Sequence, residues 1–271
     1  MKKNNLIALM SAFMMISTGA CASEAGFNEL PDGSGIVRVK AVELPSRKIP
    51  LAAPESDVSG TYAINTSYVG GSIQIRKLSL YGMDSVVFIL STVAGPTAHT
   101  ADISGMASLN GDVAVFEDGA GCKLNMKFSA SGVSLSGGNE TCRAYMGMRG
   151  AVDGGYGKTG AAKAGKLDGA YSIKSGYTDG DMIVREFQPD EAAMMPSIGF
   201  VISTVSGSTA HTADISGVAV QNASGVYEFF GDKGCRLALR PQAGSFVVEN
   251  GNETCRSYMG MRAAVDGVYS K

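Results

Sequence analysis

Residues 122–128 read CKLNMKF, with Cys122, Leu124, Met126 and Phe128 alternating against Lys123, Asn125 and Lys127. A strict two-residue period puts one set on each face of an extended chain and predicts a half-buried β-strand. The same phrase returns at residues 235–240, CRLALR, with Cys235, Leu237 and Leu239 on one face and Arg236 and Arg240 on the other. Val86, Phe88 and Leu90, matched by Ile198, Phe200 and Ile202, form a second inward stripe. Working outward, short runs separated by Gly, Asn and Asp turn signals give about eight strands in the first copy. They fall near 60–66, 71–79, 84–93, 99–109, 112–117, 122–129, 132–136 and 150–156.

The chain is a tandem repeat. Residues 91–107 (STVAGPTAHTADISGMA) match 203–219 (STVSGSTAHTADISGVA) at 14 of 17 positions, and 138–156 match 251–269 at 16 of 19. The first halves have diverged, with 6 of 20 positions shared between 59–78 and 168–187. Units of about 100 residues are domains rather than solenoid repeats. The expected organisation is a signal peptide over 1–22, an extended N-terminal segment over 23–56, a first repeat over 57–156, a Gly/Ala/Lys linker over 157–166 and a second repeat over 167–271. The expected fold is all-β: two tandem antiparallel up-and-down β-barrels, since closure removes exposed strand edges. A two-sheet sandwich is the alternative use of the same strands.

With 23 Lys and Arg against 25 Asp and Glu, 45% apolar residues and 36 Gly, the 271-residue chain is neither a disordered tail nor a basic nucleic-acid binder. Lys2 and Lys3 precede an apolar stretch over 6–16 that is too short to span a bilayer, then Ala20-Cys21-Ala22. This is the pattern of a bacterial export signal. Cleavage after Ala22 frees the chain from Ser23, whereas lipidation at Cys21 would anchor it to the outer membrane. No later run is long enough for a transmembrane span.

The other four cysteines, Cys122, Cys142, Cys235 and Cys255, fall in two pairs of identical spacing. In an exported protein this predicts disulfides Cys122–Cys142 and Cys235–Cys255, each worth about 3 kcal/mol by loop closure. A zinc site is the rival, but the sequence lacks the CxxC or His spacing it needs.

The tripeptide Ser91-Thr92-Val93, then His99, the Cys122 strand, Cys142 and the closing Asp153-Gly154-x-Tyr156 follow an order that resembles small exported β-barrels of the lysozyme-inhibitor-like type. The resemblance implies a periplasmic barrel that blocks a cell-wall hydrolase through rim loops. The Ser/Gly/Lys-rich inhibitory turn of that family has no counterpart here.

Two constellations carry candidate chemistry. Arg143, Tyr145, Met146, Met148 and Arg149, repeated as Arg256, Tyr258, Met259, Met261 and Arg262, are residue types enriched at protein interfaces. They are the expected binding residues, for a protein partner in the cell envelope. His99, Thr100, Asp102 and Ser104, with His211, Thr212, Asp214 and Ser216, form a second candidate face. Ser91, His99 and Asp102 suggest a hydrolase triad, but His99 and Asp102 lie three apart and fall on opposite faces of a strand, and no nucleophile elbow is present. The expected protein is therefore a non-catalytic binder without metal or cofactor. Its alternatives are a carrier of a small apolar ligand inside the barrels and a hydrolase built on His-Thr-Ala-Asp.

Overall fold

The computed structural model describes residues 58–188 and 195–271. The export signal with Cys21 and the segment 23–56 lie outside the described residues. Among the described residues, sixteen strands make two closed antiparallel barrels of eight. The first contains β1 (Gly60–Asn65), β2 (Val69–Leu80), β3 (Met83–Ala94), β4 (His99–Asn110), β5 (Val113–Glu117), β6 (Lys123–Ser129), β7 (Gly132–Ser136) and β8 (Gly154–Ala161). The second contains β9 (Gly169–Lys174), β10 (Thr178–Glu186), β11 (Ser197–Ser206), β12 (His211–Gln221), β13 (Tyr227–Phe230), β14 (Arg236–Gln242), β15 (Ser245–Glu249) and β16 (Gly267–Ser270). Consecutive strands pair throughout, and β1 with β8 and β9 with β16 complete the rings. The up-and-down barrel is thus the fold, not the sandwich.

The alternating residues fill the barrels as their period requires. Leu124, Met126, Val86, Phe88 and Leu90 are buried in the first, and Leu237, Leu239, Ile198, Phe200 and Ile202 in the second. Phe88 meets Phe116 edge to face at 5.2 Å, and Phe200 meets Phe229 in the same way at 5.2 Å. One boundary moves. The expected strand over 150–156 begins later, at Gly154, and runs to Ala161, so the Gly-rich stretch 157–161 is strand rather than linker. Its backbone pairs with Gly60–Ala63 to close the barrel, and a Gly/Lys/Thr sequence has little side-chain pattern to announce it.

The barrels pack side by side through outward residues. Leu78, Leu80 and Val87 of the first are buried against Ile183 and Phe187 of the second. β2 lies on β10, β3 on β11 and β4 on β12, so each strand meets its own counterpart. Val87 touches Gly199, its equivalent in the repeat: a β-carbon there would sit 2.1 Å from Val87 Cγ2. Self-contact of equivalent positions is the mark of a twofold relation. Polar bonds frame this apolar patch. Buried Arg76 pairs with Asp168 at 2.5 Å and donates to the carbonyls of Lys163 and Glu186. Tyr81 donates to Asp181.

Candidate functional site

The two segments that the repeats share almost unchanged are parts of one structure at one end of each barrel. β4 starts at His99 after a tight turn, and Ala101 forms a β-bridge with Met146. The Gly147 N–H donates to the Thr100 carbonyl at 2.8 Å. In the second barrel Ala213 bridges Met259, and the Gly260 N–H donates to the Thr212 carbonyl at 2.8 Å. The Arg-Tyr-Met loop is therefore stitched to the start of the His-Thr-Ala-Asp strand, and both candidate sets share one rim.

Much of the shared sequence is scaffold for that loop. The Cys122–Cys142 and Cys235–Cys255 disulfides fix its first end. With the cysteines so used, the zinc alternative falls. A one-turn helix, α1 (Gly138–Thr141), precedes the loop, with a counterpart α2 (Gly251–Thr254). The Asp153 carboxylate accepts from the Gly138 and Asn139 N–H groups, and Asp266 does the same for Gly251 and Asn252. Burial raises the pKa of Asp266 above the ordinary carboxylate value, while those two N–H groups pull the other way. Asn139 Oδ1 accepts from the Val152 N–H at 2.7 Å, so that side chain staples the far end of the loop. Thr141 Oγ1 bonds both backbone groups of Lys123.

The remaining identical residues have weaker ties. Met148 is 89% exposed and Met261 88%. Arg149 and Arg262 are exposed beside them, as are Arg143 and Arg256, each of which reaches only one loop carbonyl at 3.5 Å. Tyr145 is half in solvent and donates to Asp118 Oδ2 at 2.6 Å. That bond, followed by burial and the charges of Asp118 and Asp232, pushes the Tyr145 hydroxyl up to about 12. Asp118 lies below its ordinary value: burial acts against this, and the bonds from Tyr145 and three backbone N–H groups outweigh it. The Tyr258 hydroxyl instead accepts from the Asp232 N–H at 3.0 Å. The two tyrosines thus brace the neighbouring loops, and Tyr258 also packs, partly buried, against the core of the second barrel.

Tyr68 and Tyr177 are rim residues that sequence reasoning missed. They are 48% and 52% exposed, and their hydroxyls donate to the carbonyls of Arg149 and Arg262. Their rings lie over Gly95 and Gly207, where a β-carbon would come within 3.2–3.3 Å of the ring in a positive-φ turn. The available signal was their identity within the diverged first half.

Residues of the second candidate face separate. Thr100, Asp102 and Ser104 project outward, and Ser91 donates to Asp102 Oδ1 at 2.7 Å. His99 has the opposite parity, shared with buried Ala101 and Ile103, and its Nε2 lies 2.7 Å from Thr97 Oγ1. Ser91 and Asp102 meet, but the imidazole is not between them. Thr212 and Asp214 are exposed and Ser216 is half-buried beside the seam between the barrels. Among the described residues no three His, Cys, Asp or Glu side chains gather to hold a metal, and no helix is long and apolar enough to cross a membrane. The two disulfides suit an oxidising compartment. No family model matches the chain, and no curated protein or solved structure is significantly similar to it.

Proposed function

We propose that the protein is a non-catalytic binding protein of the bacterial cell envelope that docks a partner protein on its two rims. The proposed partner is a cell-wall-degrading enzyme, which it would inhibit. One observation carries this reading: Met148 and Met261 are the same residue in the same loop position of both barrels, yet almost nothing of the protein covers them. Packing does not account for that identity, whereas a contact surface does. Each methionine is flanked by an arginine and a tyrosine, Arg149 with Tyr68 and Arg262 with Tyr177, on a loop held by a disulfide. Exposed Met, Arg and Tyr on a preordered loop lose little entropy on docking. The carrier alternative has less support, because Tyr62, Phe88, Leu124 and their counterparts occupy the barrel interiors.

The test is a peptidoglycan-clearing assay with a muramidase and purified protein. Protection of the wall is expected, and Met148→Asp with Met261→Asp should remove it while the thermal melt stays put. Absence of protection overturns the inhibitor reading. Protection that survives the double variant overturns the assignment to the rims.

A further inference from the structure

The seam between the barrels contains a cleft of about 510 Å3, lined by Leu80, Met83, Met106 and Leu109 of the first barrel and by Val201 and Asp214 of the second. On the first-barrel side it lies away from the rim. β3 runs from Met83 to Ala94, and Ala94 pairs with His99, so Met83 lies at the far end of the barrel from the rim. The volume falls within the roughly 300–1,000 Å3 usual for small-molecule sites.

Ser85, Ser108 and Asn110 add polar groups to this lining, and two carboxylates border it that differ. Asp84 is already matched: Lys77 Nζ lies 2.6 Å away and the Ser79 hydroxyl donates to it at 2.5 Å. Asp214 projects outward from β12 opposite Ser203. Its counterpart in the first barrel, Asp102, accepts from Ser91, but no hydrogen bond or ion pair joins Asp214 to another of the described residues. The repeats thus share the acid, and among the described residues the second barrel leaves it without a partner at the wall of a cleft to which the first barrel supplies aliphatic side chains. Ser203 and Ser216 line the same wall.

We propose that this cleft binds a small cationic amphiphile, with an aliphatic chain along Met83, Met106 and Leu109 and a primary ammonium on Asp214. An ammonium brings three N–H donors and no acceptor, which suits a carboxylate flanked by two hydroxyls. An anionic head would meet Asp84 and Asp214 with like charge. The site does not depend on the rim reading.

The test titrates n-decylammonium chloride, below its micelle concentration, into the whole purified protein by calorimetry. One equivalent should bind. Asp214→Asn should weaken it about fivefold, the upper end for an ion pair open to water on one side. Ser216→Trp, which fills the cleft from β12, should abolish it, with circular dichroism verifying the fold of each variant. Decyl sulfate or decanol binding as tightly, an unchanged affinity in Asp214→Asn, or no saturable binding would overturn the proposal. Asp214→Asn alters an exposed side chain, so it gives an answer even where the tryptophan variant does not fold.

Discussion

Asp168→Ala should destabilise the protein far more than an ordinary surface substitution. The guanidinium of Arg76 is almost sealed from water, with 3% of its side chain accessible, and it pairs with the Asp168 carboxylate at 2.5 Å. Truncating one member of a buried ion pair leaves the other charge uncompensated, at a cost of about 3–5 kcal/mol. Arg76 keeps the carbonyls of Lys163 and Glu186, at 2.8 and 2.7 Å, which argues for the lower end. The same substitution also orphans the Glu186 N–H, which donates to Asp168 Oδ1 at 2.6 Å. We expect a loss of about 3 kcal/mol, or a fall in Tm of about 6–12 °C for a fold of this size. The assay is guanidinium unfolding followed by circular dichroism, with Arg76→Met and the pair Arg76→Met/Asp168→Asn completing a cycle. The double variant should recover most of the loss, because neither charge of the pair is left unmatched and the asparagine oxygen still accepts from Glu186. A cost below about 1 kcal/mol for Asp168→Ala, or a double variant no more stable than the single, would refute the reasoning.

Two further outcomes follow from the described bonds. Tyr145 and Tyr171 are both pushed up to about 12, the first chiefly by its bond to Asp118 and the second chiefly by burial. A raised folded pKa means that the stability these groups contribute is complete below the ordinary tyrosine value near 10 and is lost as pH rises through about 12. Melts should therefore hold to about pH 10 and fall above it, and phenolate absorbance in the folded protein should develop late for part of the ten tyrosines; a single step near pH 10 would contradict this. Separately, Cys122→Ala with Cys142→Ala should cost about 3 kcal/mol and expose the rim loop to trypsin at Arg143 and Arg149, read by peptide mapping. Equal cleavage in the unaltered protein would mean that the disulfide does not hold the loop.

The barrel was legible because alternation over residues such as 122–128 reports which face is buried without reference to the rest of the chain. The missing pieces all depend on contacts between distant segments. β8 pairs with β1 through backbone, and its glycines and lysine carry no apolar stripe. The seam between the barrels did leave a trace: residues 86–90 read VVFIL, apolar on both parities, as a strand covered on both faces should be. Val87 and Ile89 carry the outward parity, and Val87 is fully buried at the seam. The rim could not be assembled from sequence, because the bridge from Ala101 to Met146 spans two segments that each read as complete motifs.

The uneven divergence of the repeats now separates scaffold from surface. Six identities survive between 59–78 and 168–187: Gly60, Tyr62, Ile64, Tyr68, Gly71 and Arg76, with Gly169, Tyr171, Ile173, Tyr177, Gly180 and Arg185. Tyr62 and Tyr171 are core residues whose hydroxyls donate to the carbonyls of Val58 and Leu167. At Gly71 and Gly180 a β-carbon would lie 2.3–2.4 Å from a carbonyl oxygen of the next strand. Both arginines are buried at the seam side of their barrels. Tyr68 and Tyr177 alone are half in water, and their hydroxyls reach the carbonyls beside Met148 and Met261. Where packing demands identity it is kept, and elsewhere in these strands it is lost; the exposed tyrosine persists at the one place where it borders the exposed methionine and arginine. The rims also adjoin: a β-carbon at Gly119 would lie 2.9 Å from Asp232 Oδ2, its own counterpart in the repeat, and the charge of Asp232 acts on Tyr145. Equivalent positions thus meet here as Val87 and Gly199 do at the seam, the same twofold relation expressed at the rim loops.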